Sequence, residues 1–206
     1  MKCVLIRSQR TFILLGVFCL AMGILEAIVV VYLRQLYYPD GFHFPLTFLS
    51  AQMITIEWIR EFATIIMLAV LGILAGKDNL QRFFYFLFSF GIWDLAYYAG
   101  LKLFLDWPSS LMTWDILFLI PVPWLCPVLA PVICSATMII FAVSVIYLQG
   151  KGYPIRMKIV DWGLLCLGAF VILYSFIGDF VNIIVHNGFF SKFWTLSENT
   201  YFYQIV

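Results

Sequence analysis

Charge is what this sequence has least of. Only 11% of its residues are charged, where soluble domains carry about a quarter, so the chain does not have the polar surface of a water-soluble domain. Histidine occurs twice, at His43 and His186, at the ends of apolar stretches or in loops, which excludes a haem gripped by paired histidines between helices. The five cysteines, Cys3, Cys19, Cys126, Cys134 and Cys166, are scattered with no C-x-x-C and no histidine at metal spacing. Neither a zinc site nor a thioredoxin-like motif is supported, and the thiols read as small apolar packing residues. A basic cluster is missing too: the net charge is +1, which excludes the footprint of a nucleic-acid binder. Low-complexity runs and linkers are absent, and 206 residues leave room for one membrane domain, residues 1–206, of a few spans.

What is present is apolar sequence, 64% of the chain. Five stretches are long enough to cross a bilayer as helices: residues 11–33, 51–76, 80–105, 124–148 and 159–185. A sixth, residues 111–120 between Pro108 and Pro121, is too short to span and is expected to be a re-entrant or interfacial helix. The expectation is therefore an all-α integral membrane bundle. Residues 186–206, rich in Phe, Trp and Tyr, suggest an amphipathic tail resting at a membrane face. The first apolar stretch runs past Glu26 to Leu33, longer than the roughly 7 to 15 residues of a signal-peptide core, so an uncleaved first span is expected.

Orientation follows from the basic residues, since cytoplasmic loops carry the excess. Lys2, Arg7, Arg10, Lys77, Arg82, Lys151, Arg156 and Lys158 fall on one side, and Arg34, Lys102 and Lys192 on the other. The amino terminus is expected in the cytoplasm and the carboxyl terminus outside. Trp107, Trp114, Trp124 and Trp194, with Tyr37 and Tyr38, make an aromatic belt at the outer ends.

Against this apolar background the acids stand out. Glu26 lies in the first span, Glu57, Arg60 and Glu61 in the second, Asp94 in the third, and Asp179 with Asn182 in the fifth. At about 1.5 Å of rise per residue, Glu26, Glu57, Glu61 and Asp179 fall in the outer half and Asp94 near the middle. In the run IEWIRE (56–61), Glu57, Arg60 and Glu61 share one helix face and Trp58 is expected to point elsewhere. A lone Glu–Arg pair there would simply lock helices together. Five carboxylates facing one guanidinium, plus Lys102 near an outer end, leave a surplus that must be protonated, bathed by water, or neutralised by a bound cation or cationic substrate.

Several features adjoin this level. Pro121, Pro123, Pro127 and Pro131 enter the fourth span and are expected to free the carbonyls of Pro123 and Pro127, a common way to build ion or substrate sites, although prolines at a helix start have the same look. A Trp-Asp pair recurs at Trp93-Asp94 and Trp114-Asp115. Asp115 reads as an acid at the amino end of the short helix, while Tyr97 and Tyr98, three and four residues beyond Asp94, are positioned to donate to it or simply to pack. Gly72 and Gly76 have the spacing for close helix approach, or Gly76 ends its helix.

The segments MGILEA (22–27), VVVYLR (29–34), YYPDGF (37–42) and TWDILFLIPVPW (113–124) resemble a family of small uncharacterised bacterial multi-pass membrane proteins, over most of the chain up to about the fourth span. The resemblance implies a bacterial inner-membrane location and no particular activity. Three functions follow as expectations: a membrane subunit or binding protein docking other proteins; a proton- or cation-translocating protein, its carboxylates offering the oxygen ligands hard cations prefer; and an enzyme on a lipid or isoprenoid-linked substrate, with two carboxylates as acid and base and Arg60 on the head group. No cofactor is identified by the sequence.

Overall fold

The structure, a computed structural model, describes the backbone of residues 2–37, 49–120, 123–186 and 201–202, and the side chains of 8–37, 52–120 and 123–178. Five helices are found among the described residues: α1 (Lys2–Tyr37), α2 (Ala51–Ala75), α3 (Asn79–Leu105), α4 (Leu129–Gly150) and α5 (Ile159–His186). Short strands complete the chain: β1 (Leu49–Ser50), β2 (Trp114–Ile116), β3 (Leu125–Pro127) and β4 (Tyr201–Phe202). Four helices, α1, α2, α4 and α5, are long and apolar enough to cross a membrane. The chain is a helical membrane protein.

It forms two compact units. The first comprises Met1–Val31, Thr64–Thr113 and Pro127–Met157, the second Tyr32–Ala63, Trp114–Cys126 and Lys158–Val206.

In the first unit α3 is the central helix. Asp78 caps its start by accepting from the Gln81 amide at 2.9 Å, and Asp106 ends it in the left-handed conformation at φ 51°. Apolar burial drives little between helices in lipid, because acyl chains are as apolar as leucine; close packing of small residues has to supply the attraction. A Cβ on Gly91 would stand 2.7 Å from the Ser135 carbonyl oxygen of α4, one on Gly100 2.6 Å from Ala27 Cβ of α1, and one on Gly72 2.6 Å from the Arg82 carbonyl oxygen. The Gly72–Gly76 spacing thus does bring the end of α2 against the start of α3. Around these approaches Leu15, Phe84, Tyr85, Phe88, Ala142, Val145 and Ile146 make a core, with Phe12 edge-on to Phe88 at a centroid distance of 4.7 Å.

The expected helix over 111–120 does not form. Residues 114–116 are strand β2, paired with β3 in a two-stranded sheet. Leu117 N–H donates to the Trp124 carbonyl and Trp124 N–H to the Phe118 carbonyl, both at 2.9 Å. A mostly apolar run of ten residues fits a short helix or a buried strand equally by hydropathy; the backbone groups here are satisfied by the stretch beyond the prolines. The fourth helix also begins later than expected, at Leu129 rather than Trp124. Pro123 and Pro127 precede it and Pro131 lies in its first turn, where no intrahelical donor is lost, so the prolines free no carbonyls inside a span. Val128 N–H, at 3.0 Å from the Thr113 carbonyl, and Leu129 N–H, at 2.8 Å from that of Leu111, satisfy the helix's opening amides in place of a side-chain cap.

In the second unit β1 pairs antiparallel with β4, Leu49 opposite Phe202 and Ser50 opposite Tyr201. Most of the expected amphipathic tail over 186–206 lies outside the described residues.

Candidate functional site

The run IEWIRE occupies the second and third turns of α2, in the second unit. Arg60 Nη2 stands 2.8 Å from Glu57 Oε2, Arg60 Nε donates to the same oxygen at 2.8 Å, and Nη2 lies 3.9 Å from Glu61 Oε1. The guanidinium is flanked by both carboxylates, as their spacing on one face requires. Two charge-assisted bonds from one guanidinium to Glu57 make this the tighter pair. Glu57 and Glu61 are buried and Arg60 is half-buried.

Glu61 looks outward from α2 to the segment after β2. The backbone N–H of Leu119 donates to both its oxygens, each at 3.0 Å. Trp58 does not point elsewhere: its Nε1–H donates to the Leu119 carbonyl at 2.9 Å. Positions 58 and 61 are three apart and therefore neighbours on the helix surface, so one face of α2 satisfies both the donor and the acceptor of a single residue whose backbone is outside regular structure.

Asp115, in the same unit, is not a helix-start acid. It lies on β2, 3% exposed, with its Oδ1 3.6 Å from Arg34 Nη2. Arg34 is itself buried at the far end of α1, a second internal guanidinium that span counting had assigned to the outer loop.

Glu26 and Asp94 belong to the first unit. Glu26 Oε2 accepts from Thr64 Oγ1 at 3.5 Å. Asp94 Oδ2 accepts from Ser135 Oγ of α4 at 2.7 Å, with both side chains buried. Tyr97 and Tyr98 pack edge to face at 5.1 Å. Lys102 turns to the end of α3, where its Nζ meets Asp106 Oδ1 at 2.7 Å and the carbonyls of Asp106 and Pro108 at 3.3 and 3.2 Å; it caps the helix. Hydrogen bonding and attraction from that ammonium hold the exposed Asp106 carboxyl below the usual carboxylate range. The side chains of Asp179 and Asn182 lie outside the described residues.

The acids therefore occur in both units, each described one with partners of its own. Among the described residues no three His, Cys, Asp or Glu side chains gather where they could hold a metal ion. The residues that sequence reasoning missed are Arg34, Thr64, Ser135 and the Leu119 backbone. Hydroxyls and main-chain amides leave no trace in a count of charges, and such donors satisfy much of what that count had left over. No protein-family model, curated protein or solved structure matches the chain.

Proposed function

We propose that this protein is a membrane subunit of a larger assembly in a bacterial inner membrane, and that α5 is the helix that docks its partner subunit. One observation carries the reading: none of the apolar window of α5, Ile159–Gly178, is buried, against 22 to 28% for the other three candidate spans. A spanning helix normally buries one stripe against its neighbours, through small residues and hydrogen bonds. Gly163, Gly168 and Gly178 of α5 have open space where their Cβ atoms would be, and the same helix carries Asp179 and Asn182 three positions apart in its sequence. An acid on a spanning helix calls for a protein or water-lined environment.

The polar groups of α2 and the hairpin support a scaffold in preference to a translocation path, because their carboxylates are engaged by Arg60, Arg34 and a backbone amide. In this reading α3 is a fifth span despite its charges, the amino terminus is cytoplasmic and the carboxyl terminus outside, as the basic residues favour.

Cys166 is a free, exposed thiol on α5, which supplies the test. Membranes treated with a short thiol-to-amine cross-linker, then solubilised in mild detergent, should yield this chain joined through Cys166 to a different protein in fixed stoichiometry. Cys166→Ser should abolish the product. A chain that isolates alone, with Cys166 attached to nothing, would remove the proposal.

A further inference from the structure

At one end of the first unit the structure holds a polar cavity that has no part in the features above. It offers about 50 Å³ to the centres of water-sized molecules, where a single water needs roughly 10 to 15 Å³. Ser8, Thr11, Lys77, Gln81, Tyr85 and Gln149 give it hydroxyls, amides and one ammonium, and no acid lines it. Gln149 Oε1 is buried and no protein group donates to it, a state that native side chains rarely leave uncompensated. The Gln81 Oε1 is taken by the Lys77 amide at 3.2 Å, so the group Gln81 can contribute is its NH₂. The lining thus combines several donors and a positive charge with one acceptor still wanting a donor.

Its depth is fixed by the spans themselves. Ala75 and Gly150, which line the cavity, are the last residues of the spans Gln52–Ala75 and Leu129–Gly150, and Ser8 and Thr11 lie near the start of α1 (Lys2–Tyr37). Two span ends meet there, which is the level of lipid headgroups rather than of acyl chains. Basic recesses between spanning helices at that level are suited to phospholipid headgroups.

We infer that this cavity is a binding site for a phospholipid headgroup that carries a hydrogen-bond donor beside its phosphate, such as an ethanolamine or glycerol headgroup. The phosphate faces Lys77, the hydroxyls and the Gln81 amide; the ammonium or hydroxyl of the headgroup donates to Gln149 Oε1. A choline headgroup has no donor and leaves that oxygen unpaired, a loss of about tenfold in affinity for one missing buried hydrogen bond.

The test uses the full chain in detergent micelles, with thermal unfolding followed by tryptophan fluorescence. The added probes are dihexanoyl phosphatidylethanolamine, phosphatidylglycerol or phosphatidylcholine, and glycerol 3-phosphate. The ethanolamine and glycerol lipids should raise the midpoint at concentrations about tenfold below those needed for the choline lipid, and glycerol 3-phosphate should give no shift there. Gln149→Met should erase the preference, and Lys77→Gln should weaken both favoured lipids while leaving the fold intact. Equal response to the choline lipid overturns the proposal, as does a preference that survives Gln149→Met. A shift by glycerol 3-phosphate matching that of the lipids overturns the lipid source. Should Gln149→Met not fold, Lys77→Gln decides: unchanged response to phosphatidylglycerol sinks the site.

Discussion

Glu61 holds the backbone N–H of Leu119 between its two carboxylate oxygens, each 3.0 Å away, while Trp58 one turn earlier donates to the carbonyl of the same residue at 2.9 Å. This clasp ties α2 to the segment between β2 and β3. Removing the carboxylate strands an amide donor that water reaches poorly. Glu61→Ala should therefore cost about 1 to 3 kcal/mol, and Glu61→Gln less, since its oxygen can still accept. Trp58→Phe, at a more exposed position, should cost at the lower end of about 0.5 to 1.5 kcal/mol. The two act on one residue, so the double variant should be non-additive. Thermal unfolding in detergent measures all four states, and limited proteolysis should cut first within residues 117–124 of the Glu61 variants. Strict additivity with no change in cleavage would show that the clasp does not hold the hairpin.

Arg60 stands between Glu57 at 2.8 Å and Glu61 at 3.9 Å, and its loss differs in kind from loss of either acid. Arg60→Met leaves two buried carboxylates as neighbours with no guanidinium, whereas Glu57→Gln leaves Arg60 with Glu61 still beside it. Breaking a buried pair costs roughly 3 to 5 kcal/mol, and Arg60 is partly open to screening, so the lower end of that range is expected for Arg60→Met. Glu57→Gln should cost less, and combining the two should recover part of the Arg60→Met loss. A double variant less stable than Arg60→Met would mean that Glu57 contributes something other than the pair. Unfolding midpoints of the three variants at fixed detergent decide it.

Much of the fold could be read from the sequence, because spans are written in hydropathy over about 20 residues: the helices around 11–33, 51–76, 80–105 and 159–185 all form. The prolines at 121–131 are where reading failed. Length and hydropathy cannot distinguish a short apolar strand from a short helix, and only the pairing of residues 117 and 118 with 124, across the prolines, shows which one forms. The shared face of Glu57, Arg60 and Glu61 was legible because helical spacing is local. The partners of Glu26, Asp94 and Asp115 were not, because Thr64, Ser135 and Arg34 are 38, 41 and 81 residues away in the chain, and no local period encodes such distances.

Asp94 and Gly91, three residues apart on α3, both meet Ser135 of α4. Asp94 accepts from Ser135 Oγ at 2.7 Å, and a Cβ at Gly91 would stand 2.7 Å from the Ser135 carbonyl oxygen. Ser135→Ala removes the buried donor and should cost about 1 to 3 kcal/mol. Gly91→Ala should push α4 away and lengthen the same bond, at a cost of about 1 to 3 kcal/mol for overpacking. Once Ser135 is alanine, no hydrogen bond remains for the displaced helix to lose, so the double variant should fall short of the sum of the singles. Unfolding midpoints of both single variants and the double variant provide the check; full additivity would show that the two contacts are independent.

At the end of α3 the pair Lys102–Asp106, 2.7 Å apart, should show itself in pH rather than in bulk stability. The ammonium holds the Asp106 carboxyl below its ordinary value, so the folded state binds that proton less readily than the unfolded chain. The stabilisation is therefore present above the unfolded value, about 3.9, and is lost as pH falls through the lower folded value. Lys102→Met removes it at neutral pH, and the two proteins should converge in acid. Carboxyl-carbon NMR of Asp106 should give a midpoint below the ordinary range in the wild type and a return to that range in Lys102→Met. Because both groups are exposed and the attraction is screened while the hydrogen bond is not, 1 M salt, which shortens the Debye length to about 3 Å, should move the wild-type midpoint part of the way towards that of the variant. A midpoint indifferent both to the substitution and to salt would show that the pair is not formed.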